Sequence, residues 1–232
     1  MSTKTKKVLF VVTSHDQLGS TGRKTGLWIG EFAAPYYTLS DAGYDITIAS
    51  PKGGVGPIDP FSDEPQFATD ATRRFHADKA LQTKLNNTVL LSKVSESDYD
   101  AIFFPGGHGP MWDLAEDMTA ARLIETFYQH HKPVSLLCHG SVALKHVKDA
   151  KGEPLIKGRK VAGFTNGEEE AVGLTQAVPF LTEDLLKSLG ANYQKGADWT
   201  PFSVVDGLLI TGQNPQSAQI VGENLLKALT KA

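Results

Sequence analysis

The fold is decided by residues 133–144, which read Pro-Val-Ser-Leu-Leu-Cys-His-Gly-Ser-Val-Ala-Leu. The first half is a short apolar run typical of a buried β-strand, and the second half passes through a small-residue turn into a helix-like segment. Strand, tight turn and helix form the repeating unit of α/β proteins with a parallel sheet. We therefore predict that Cys138 ends a buried strand in a strained turn, the arrangement called a nucleophile elbow.

The same alternation continues along the rest of the chain. We predict strands at Lys7–Thr13, Asp45–Ser50, Ala101–Phe104, Val134–Cys138 and Leu208–Thr211, with shorter ones near Leu90, Val161 and Tyr193. We predict helices at Pro35–Ala42, Thr119–Gln129, Gly140–Lys148, Glu183–Leu189 and Pro215–Lys231. The expected fold is α/β and flavodoxin-like, a single-domain sandwich over residues 1–232 with a mostly parallel central sheet flanked by helices.

One long segment, Gly53–Pro65, fits neither element. It contains too many Gly and Pro residues for a helix or a central strand, so we predict a surface loop. Loops of this length are often functional, and this one is a candidate cover for a site, although an ordinary excursion of the chain is an equal alternative.

Composition excludes several classes of protein. The 232 residues are 41% hydrophobic and 21% charged, as in ordinary globular proteins, and the net charge is −3. Lysines occur only in short clusters without interleaved aromatic residues, which predicts no nucleic-acid partner. The first apolar run, Val8–Val12, is too short for a signal peptide or a membrane span. With one cysteine, no disulfide can form within the chain, and we expect a cytoplasmic protein without a membrane partner.

Cys138 is the first candidate for chemistry. A lone cysteine is usually an inert buried residue, but its place at the turn and the adjacent His139 favour reactivity. Backbone N–H groups of the following helix are expected to lower the pKa of the thiol and to stabilise an oxyanion.

A glycine-rich turn, Pro105–Pro110, follows another predicted strand. Its glycines allow backbone N–H groups to converge on a ligand, and Gly106, Gly107 and His108 are the candidate contributors. Ligands of open α/β sheets bind beyond the carboxyl ends of the strands. Cys138 and Gly107 are therefore expected on the same edge.

Two acidic sites accompany these turns. Glu31 is the only ionisable residue between Trp28 and Pro35. It is either desolvated, with a raised pKa, or a solvent-facing helix position. Glu168, Glu169 and Glu170 form either a solvated helix start or the source of an acid that orients His139. No set of His, Cys and acidic residues has the spacing of a zinc site, and we expect neither a metal nor a cofactor.

Five motifs taken together resemble the PfpI superfamily, in its branch of heat-shock chaperones that are glutathione-independent glyoxalases (glyoxalase III). They are Gly30-Glu31, Pro105–Gly109, Leu137–Gly140, Gly163-Phe164-Thr165 with a following acid, and Thr211-Gly212-x-Asn214-Pro215-x-Ser217-Ala218. Their order is the order found in that superfamily, and the likeness extends from about Lys7 to Leu229.

The resemblance implies a role for each residue. Cys138 corresponds to the nucleophile, His139 to the histidine that moves protons, and Glu31 to a protonated carboxyl beside the thiol. Backbone amides near Gly107 and His139 correspond to the oxyanion site. Glu169 corresponds to the acid that orients His139, with Glu168 and Glu170 as rivals.

The implied reaction converts a small 2-oxoaldehyde, methylglyoxal or glyoxal, into lactate or glycolate through a cysteine hemithioacetal and an enediol. Neither glutathione nor a metal takes part. Either Glu31 or His139 removes the carbon-bound proton. A homodimer is the general default for such a protein.

Other functions remain as alternatives. Glutamine amidotransfer requires a histidine near the C-terminus, but the last of the seven histidines is His146. Peptidase activity rests on resemblance alone. A peroxide sensor would use the same cysteine. A holdase chaperone would need an exposed apolar patch, for which Trp28–Tyr37 and Val178–Leu181 are the candidates, although burial explains both segments better.

Overall fold

A computed structural model describes residues 6–231. Seven strands form the central sheet in the order β3-β2-β1-β4-β5-β9-β8, and all neighbours pair in parallel except β8 and β9. The strands are β1 Lys7–Val11, β2 Asp45–Ser50, β3 Val89–Leu90, β4 Ala101–Phe104, β5 Val134–Leu137, β8 Ser203–Asp206 and β9 Leu209–Gly212. A separate two-stranded sheet pairs β6 Lys160–Val161 with β7 Asn192–Tyr193. The predicted α/β architecture with a mostly parallel sheet is confirmed.

Helices cover both faces of this sheet. They are α1 Ile29–Asp41, α2 Asp70–Ala77, α3 Lys79–Leu85, α4 Met118–Gln129, α5 Asn166–Ala171, α6 Thr182–Ser188 and α7 Ala218–Lys231. Side chains of α1, α2, α3 and α7 form one apolar core, and those of α4 and α6 contribute to the core on the opposite face. Within residues 6–231, none of the helices combines the length and hydrophobicity required to cross a bilayer.

The first helix begins earlier than predicted. We predicted a start at Pro35, because proline is common at the first position of a helix. Instead α1 begins at Ile29, and Pro35 lies inside it. The buried proline packs against α7, where a Cβ added to Gly222 would lie 2.9 Å from the Cα of Pro35. This packing offsets the lost backbone hydrogen bond, and it places Glu31 in the first turn of the helix.

The predicted helix Gly140–Lys148 is wrong. The chain instead forms a 3₁₀-helix at Cys138–Leu144, in which every residue is buried. A Cβ on Gly140 would lie 2.5 Å from the carbonyl oxygen of Phe104, so this turn is pressed against the end of β4. The close approach leaves room for a tight turn and not for a regular α-helix.

Several elements were not predicted, among them α2, α3 and β8. Helices α2 and α3 are short and polar, and side chains of Thr69 and Asp78 cap their N-termini. Strand β8 is an edge strand that pairs antiparallel with β9. The segment predicted as a loop, Gly53–Pro65, forms no α-helix or central strand and includes a 3₁₀ turn at Pro60–Asp63.

Candidate active site

The site lies at the carboxyl ends of β4 and β5, which are neighbours in the sheet. Cys138 follows β5 directly and has φ of 56°, a conformation that is costly for a residue with a side chain. Gly106 follows β4 and lies close to Glu31 and Cys138. A Cβ added to Gly106 would lie 2.4 Å from Oε2 of Glu31 and 2.8 Å from Cβ of Cys138. Only glycine leaves space for the cysteine and the carboxyl to meet.

Gly107 offers a backbone donor to the site. Its φ is 92°, and an added Cβ would lie 2.3 Å from the carbonyl oxygen of Gly26, so the position requires glycine. Gly107 lines the cavity above Cys138. Among residues 6–231 its N–H has no acceptor. A free amide at this place can bind a developing negative oxygen.

Glu31 is fully buried, which makes the solvent-facing alternative wrong. Its Oε2 accepts a hydrogen bond of 2.8 Å from the N–H of Gly106, and its carboxyl also interacts with the thiol of Cys138. Burial raises the pKa of Glu31 to about 8, against the smaller lowering effects of the Cys138 thiol and the Gly106 N–H. The carboxyl is therefore protonated at neutral pH and has a proton to donate.

The thiol of Cys138 departs from the prediction. Burial raises its pKa well above the ordinary value, with the negative charge of ionised Glu31 as the second cause. The amide of His139 acts in the expected, lowering direction but is outweighed. The predicted low-pKa thiol is therefore wrong, because desolvation outweighs the helix amides. A protonated thiol needs a base before it can attack.

His139 has the geometry of that base. Its Nδ1 lies 3.4 Å from Sγ of Cys138, and its Nε2 lies 2.6 Å from Oε2 of Glu169. Burial, and next the charge of His108, lower the pKa of His139 to about 4, against the opposing effect of Glu169. The ring is therefore neutral at neutral pH. In the neutral ring, Nε2 carries the hydrogen and donates a hydrogen bond to the carboxylate of Glu169. Nδ1 therefore presents its lone pair to the thiol of Cys138.

Glu169 serves two histidines. Its Oε1 lies 2.6 Å from Nε2 of His108, while Oε2 accepts from His139. Burial acts to raise the pKa of Glu169, but the charges and hydrogen bonds of His139 and His108 outweigh it and hold the pKa well below its usual range. The sequence placed His108 with the backbone oxyanion donors, and it gave no signal that its side chain contacts Glu169.

Within residues 6–231, the side chains of His108, His139 and Glu169 are close enough together to act as metal ligands. Each carboxylate oxygen already accepts a hydrogen bond from one imidazole, and a cation would have to replace both hydrogen bonds. The donor set therefore fits a hydrogen-bonded group that handles protons better than a metal site.

The neighbouring acids have different surroundings. Glu170 is exposed. Glu168 is fully buried, and its Oε1 accepts N–H bonds from Trp199, Gln213 and Asn214, while its Oε2 accepts from the amide of Thr165. Of the three candidates, Glu169 is the one in contact with His139. Glu168 instead anchors the segment around Trp199, a function the sequence did not indicate.

These groups open into one cavity of about 530 Å³. Cys138, His139, His108, Gly107 and Glu31 all contribute to its wall. Its wall is rich in aromatic side chains, namely Trp28, Phe61, Phe67, Phe164 and Trp199. The segment predicted as a loop supplies Asp59 and Phe61 to this wall, so it does border the site.

The arrangement combines four chemical functions at one place. A thiol nucleophile, a neutral imidazole base, a protonated carboxyl and a free backbone N–H surround the inner end of the cavity. Such a set can add sulphur to a carbonyl carbon and move protons between neighbouring atoms of the adduct.

Comparison with known proteins agrees with this chemistry. The profile of the DJ-1/PfpI family matches residues 29–228. Glyoxalase 3 of Candida albicans is 33% identical, over 96% of this chain and 98% of its own length. The glutathione-independent glyoxalase HSP31 of Saccharomyces cerevisiae is 30% identical, over 97% of this chain and 98% of its own length.

Solved structures show the same likeness. Rapid Encystment Protein 24 kDa of Francisella tularensis superimposes with a TM-score of 0.92 at 40% identity, covering 97% of this chain and 99% of that protein. Glyoxalase III of Candida albicans superimposes with a TM-score of 0.88 at 32% identity, covering 96% and 97% of the two chains.

Proposed function

The chain belongs to the DJ-1/PfpI family, and from this premise we propose that it is a glutathione-independent glyoxalase that converts methylglyoxal into lactate. The observation that carries the proposal is the hydrogen-bonded series from the thiol of Cys138 through His139 to Glu169, with a protonated Glu31 beside the thiol. The full-length similarity to proteins named glyoxalases supports the same activity.

The first step joins substrate and protein. Nδ1 of His139 takes the thiol proton while Sγ of Cys138 bonds to the aldehyde carbon. The carbonyl oxygen becomes an alkoxide, which the free N–H of Gly107 stabilises. The proton then passes from His139 to this oxygen. A hemithioacetal results, and His139 is neutral again.

The second step moves hydrogen between the two carbons. His139, as the neutral base, removes the hydrogen of the former aldehyde carbon as a proton, while Glu31 protonates the neighbouring ketone oxygen. The product is an enediol. His139 returns its proton to the second carbon, and the hydroxyl on the first carbon loses its proton to the Glu31 carboxylate. This leaves a lactoyl thioester, with Glu31 protonated once more.

Water completes the cycle. It adds to the thioester carbonyl, and cleavage of the carbon–sulphur bond releases lactate and the Cys138 thiol. The steps use only groups of this chain together with substrate and water. In this mechanism Glu31 is an acid first, since it holds a proton at neutral pH.

The proposal includes three further expectations. The chain is one domain over residues 1–232, it acts as a homodimer, and it works in the cytoplasm. Its single cysteine suits a reducing compartment, where a reactive thiol persists.

The alternatives have less support. Of the segments named for holdase activity, Trp28–Tyr37 lies mainly in buried α1, whereas in Val178–Leu181 only Val178 is buried and Pro179 is exposed. A peroxide sensor requires a thiolate, whereas burial raises the pKa of Cys138. No observation of the structure favours peptidase activity.

The test is the conversion itself. Purified protein, dialysed against a chelator and free of glutathione, is incubated with methylglyoxal, and lactate is measured enzymatically. We expect lactate at a rate proportional to protein concentration, unchanged by added glutathione. Loss of methylglyoxal without lactate would refute the proposed function, because simple adduct formation also consumes the aldehyde. Glu169→Gln should lower this rate, because the amide has one oxygen and cannot accept from both histidines, and Glu170→Gln at an exposed neighbour is its matched control.

A further inference from the structure

His108 is held in the site from two sides. It lies on the turn after β4, and its side chain is only 8% exposed. Gly107 before it approaches the carbonyl of Gly26, and a Cβ on Gly109 after it would lie 2.5 Å from Cγ2 of Thr13. The backbone at both neighbours is pressed against other segments. The imidazole of His108 is therefore fixed in place before substrate binds.

The fixed ring shares one carboxylate with His139. Nε2 of each ring lies 2.6 Å from a different oxygen of Glu169, and the ring centroids are 4.0 Å apart. Both histidines and Glu169 are buried. A carboxylate held by two donors cannot rotate freely, so the oxygen that accepts from His139 keeps its direction.

We propose that His108 is a positioning residue: by holding one oxygen of Glu169, it aims the other oxygen at His139. This inference rests on the proposed glyoxalase function. It assigns His108 an effect exerted through Glu169 and His139, in addition to its place in the cavity wall.

His108 also acts on His139 through its charge. Glu169 supplies one negative charge between the two buried rings. The other ionisable groups nearby are the thiol of Cys138 on the same turn, the protonated Glu31 on α1, and Glu168, whose oxygens are taken by N–H donors. In agreement, the charge of His108 is the second cause, after burial, of the lowered pKa of His139.

Two substitutions separate the donor from the ring. His108→Gln keeps an amide N–H at about the distance of Nε2, whereas His108→Phe keeps a ring of similar size without a donor. Because His108→Phe removes a hydrogen bond to a charged group, we expect it to lower kcat roughly ten- to a hundredfold. KM for methylglyoxal should stay within about twofold, and His108→Gln should recover most of the lost kcat.

The pH profile distinguishes positioning from simple packing. His108→Phe removes the imidazole whose charge lowers the pKa of His139, and it leaves Glu169 with His139 as its one histidine partner. The pKa of His139 then rises, and the acidic limb of the kcat/KM profile should move up by roughly one pH unit. A purely structural defect would lower the rate without moving this limb.

A double variant tests whether the effect passes through Glu169. In a Glu169→Ala background, His108→Phe should have no further effect on kcat, since its partner is already missing. An equal loss in both backgrounds, a raised KM with unchanged kcat, or a His108→Gln variant no better than His108→Phe would each overturn the proposal. Should His108→Phe fail to fold, His108→Asn, whose amide is too short to reach Glu169, replaces it in every comparison with His108→Gln. Absence of lactate from the wild type would refute the proposed function instead.

Discussion

Replacement of Glu31 by glutamine gives a quantitative test of the buried acid. The amide keeps an oxygen for the N–H of Gly106 but does not titrate. In the unfolded chain Glu31 ionises near pH 4.5, whereas in the folded protein burial keeps it protonated up to about pH 8. The wild type therefore loses stability as the pH rises through this window, and Glu31→Gln does not. The rise in pKa corresponds to roughly 5 kcal/mol, at about 1.36 kcal/mol for each pH unit.

The assay is urea unfolding of both proteins at intervals between pH 5 and pH 9. The unfolding free energy of Glu31→Gln minus that of the wild type should increase by about 1.4 kcal/mol per pH unit and level off above about pH 8. Titration of His139 cancels, because both proteins contain it. Glu170→Gln is the control for removal of an exposed carboxylate. A difference that stays constant from pH 5 to pH 8 would refute the protonated, buried carboxyl.

Further outcomes follow from the same geometry. The mechanism requires a neutral His139 and a protonated Glu31, so the plot of kcat/KM for methylglyoxal against pH should be bell-shaped. Its acidic limb, near pH 4, reports His139 and its basic limb, near pH 8, reports Glu31. Initial rates measured on both sides of these limbs check the profile. Gly107→Ala should lower the unfolding free energy by roughly 2–4 kcal/mol, because the added Cβ would clash with the carbonyl of Gly26 and the backbone has a positive φ. Urea unfolding measures this loss. An alanine variant as stable as the wild type would contradict the close approach. Glu168→Ala should destabilise the protein by several kcal/mol, because it leaves the N–H donors of Trp199, Gln213 and Asn214 without their acceptor. Each buried donor without an acceptor costs about 1–3 kcal/mol. Calorimetry measures the loss, and an unchanged Tm would show that water replaces the carboxylate.

The sequence was informative where the chemistry depends on local pattern. An apolar run that ends in Cys-His-Gly predicts a strand and a tight turn, and the positive φ of Cys138 agrees with that turn. The two turns that follow β4 and β5 meet because those strands are neighbours, a consequence of the parallel sheet.

The sequence was uninformative where the outcome depends on packing from distant segments. The pKa of the Cys138 thiol is set by burial, which outweighs the local amides that suggested a reactive thiolate. The contact between His108 and Glu169 joins residues 61 positions apart, and no periodicity indicates it. Pro35 similarly concealed the true start of α1, because only its packing against α7 makes a proline tolerable inside that helix.

A comparison of lactate formation from methylglyoxal by wild type and by Cys138→Ala tests whether Cys138 is the nucleophile of a glyoxalase. Because the chain has one cysteine, the fraction of free thiol in partly alkylated wild type can be plotted against the remaining rate. We predict a line that reaches zero rate at zero thiol, and no lactate above background from Cys138→Ala. Lactate formation at an undiminished rate by Cys138→Ala, in protein shown by circular dichroism to be folded, would contradict the mechanism.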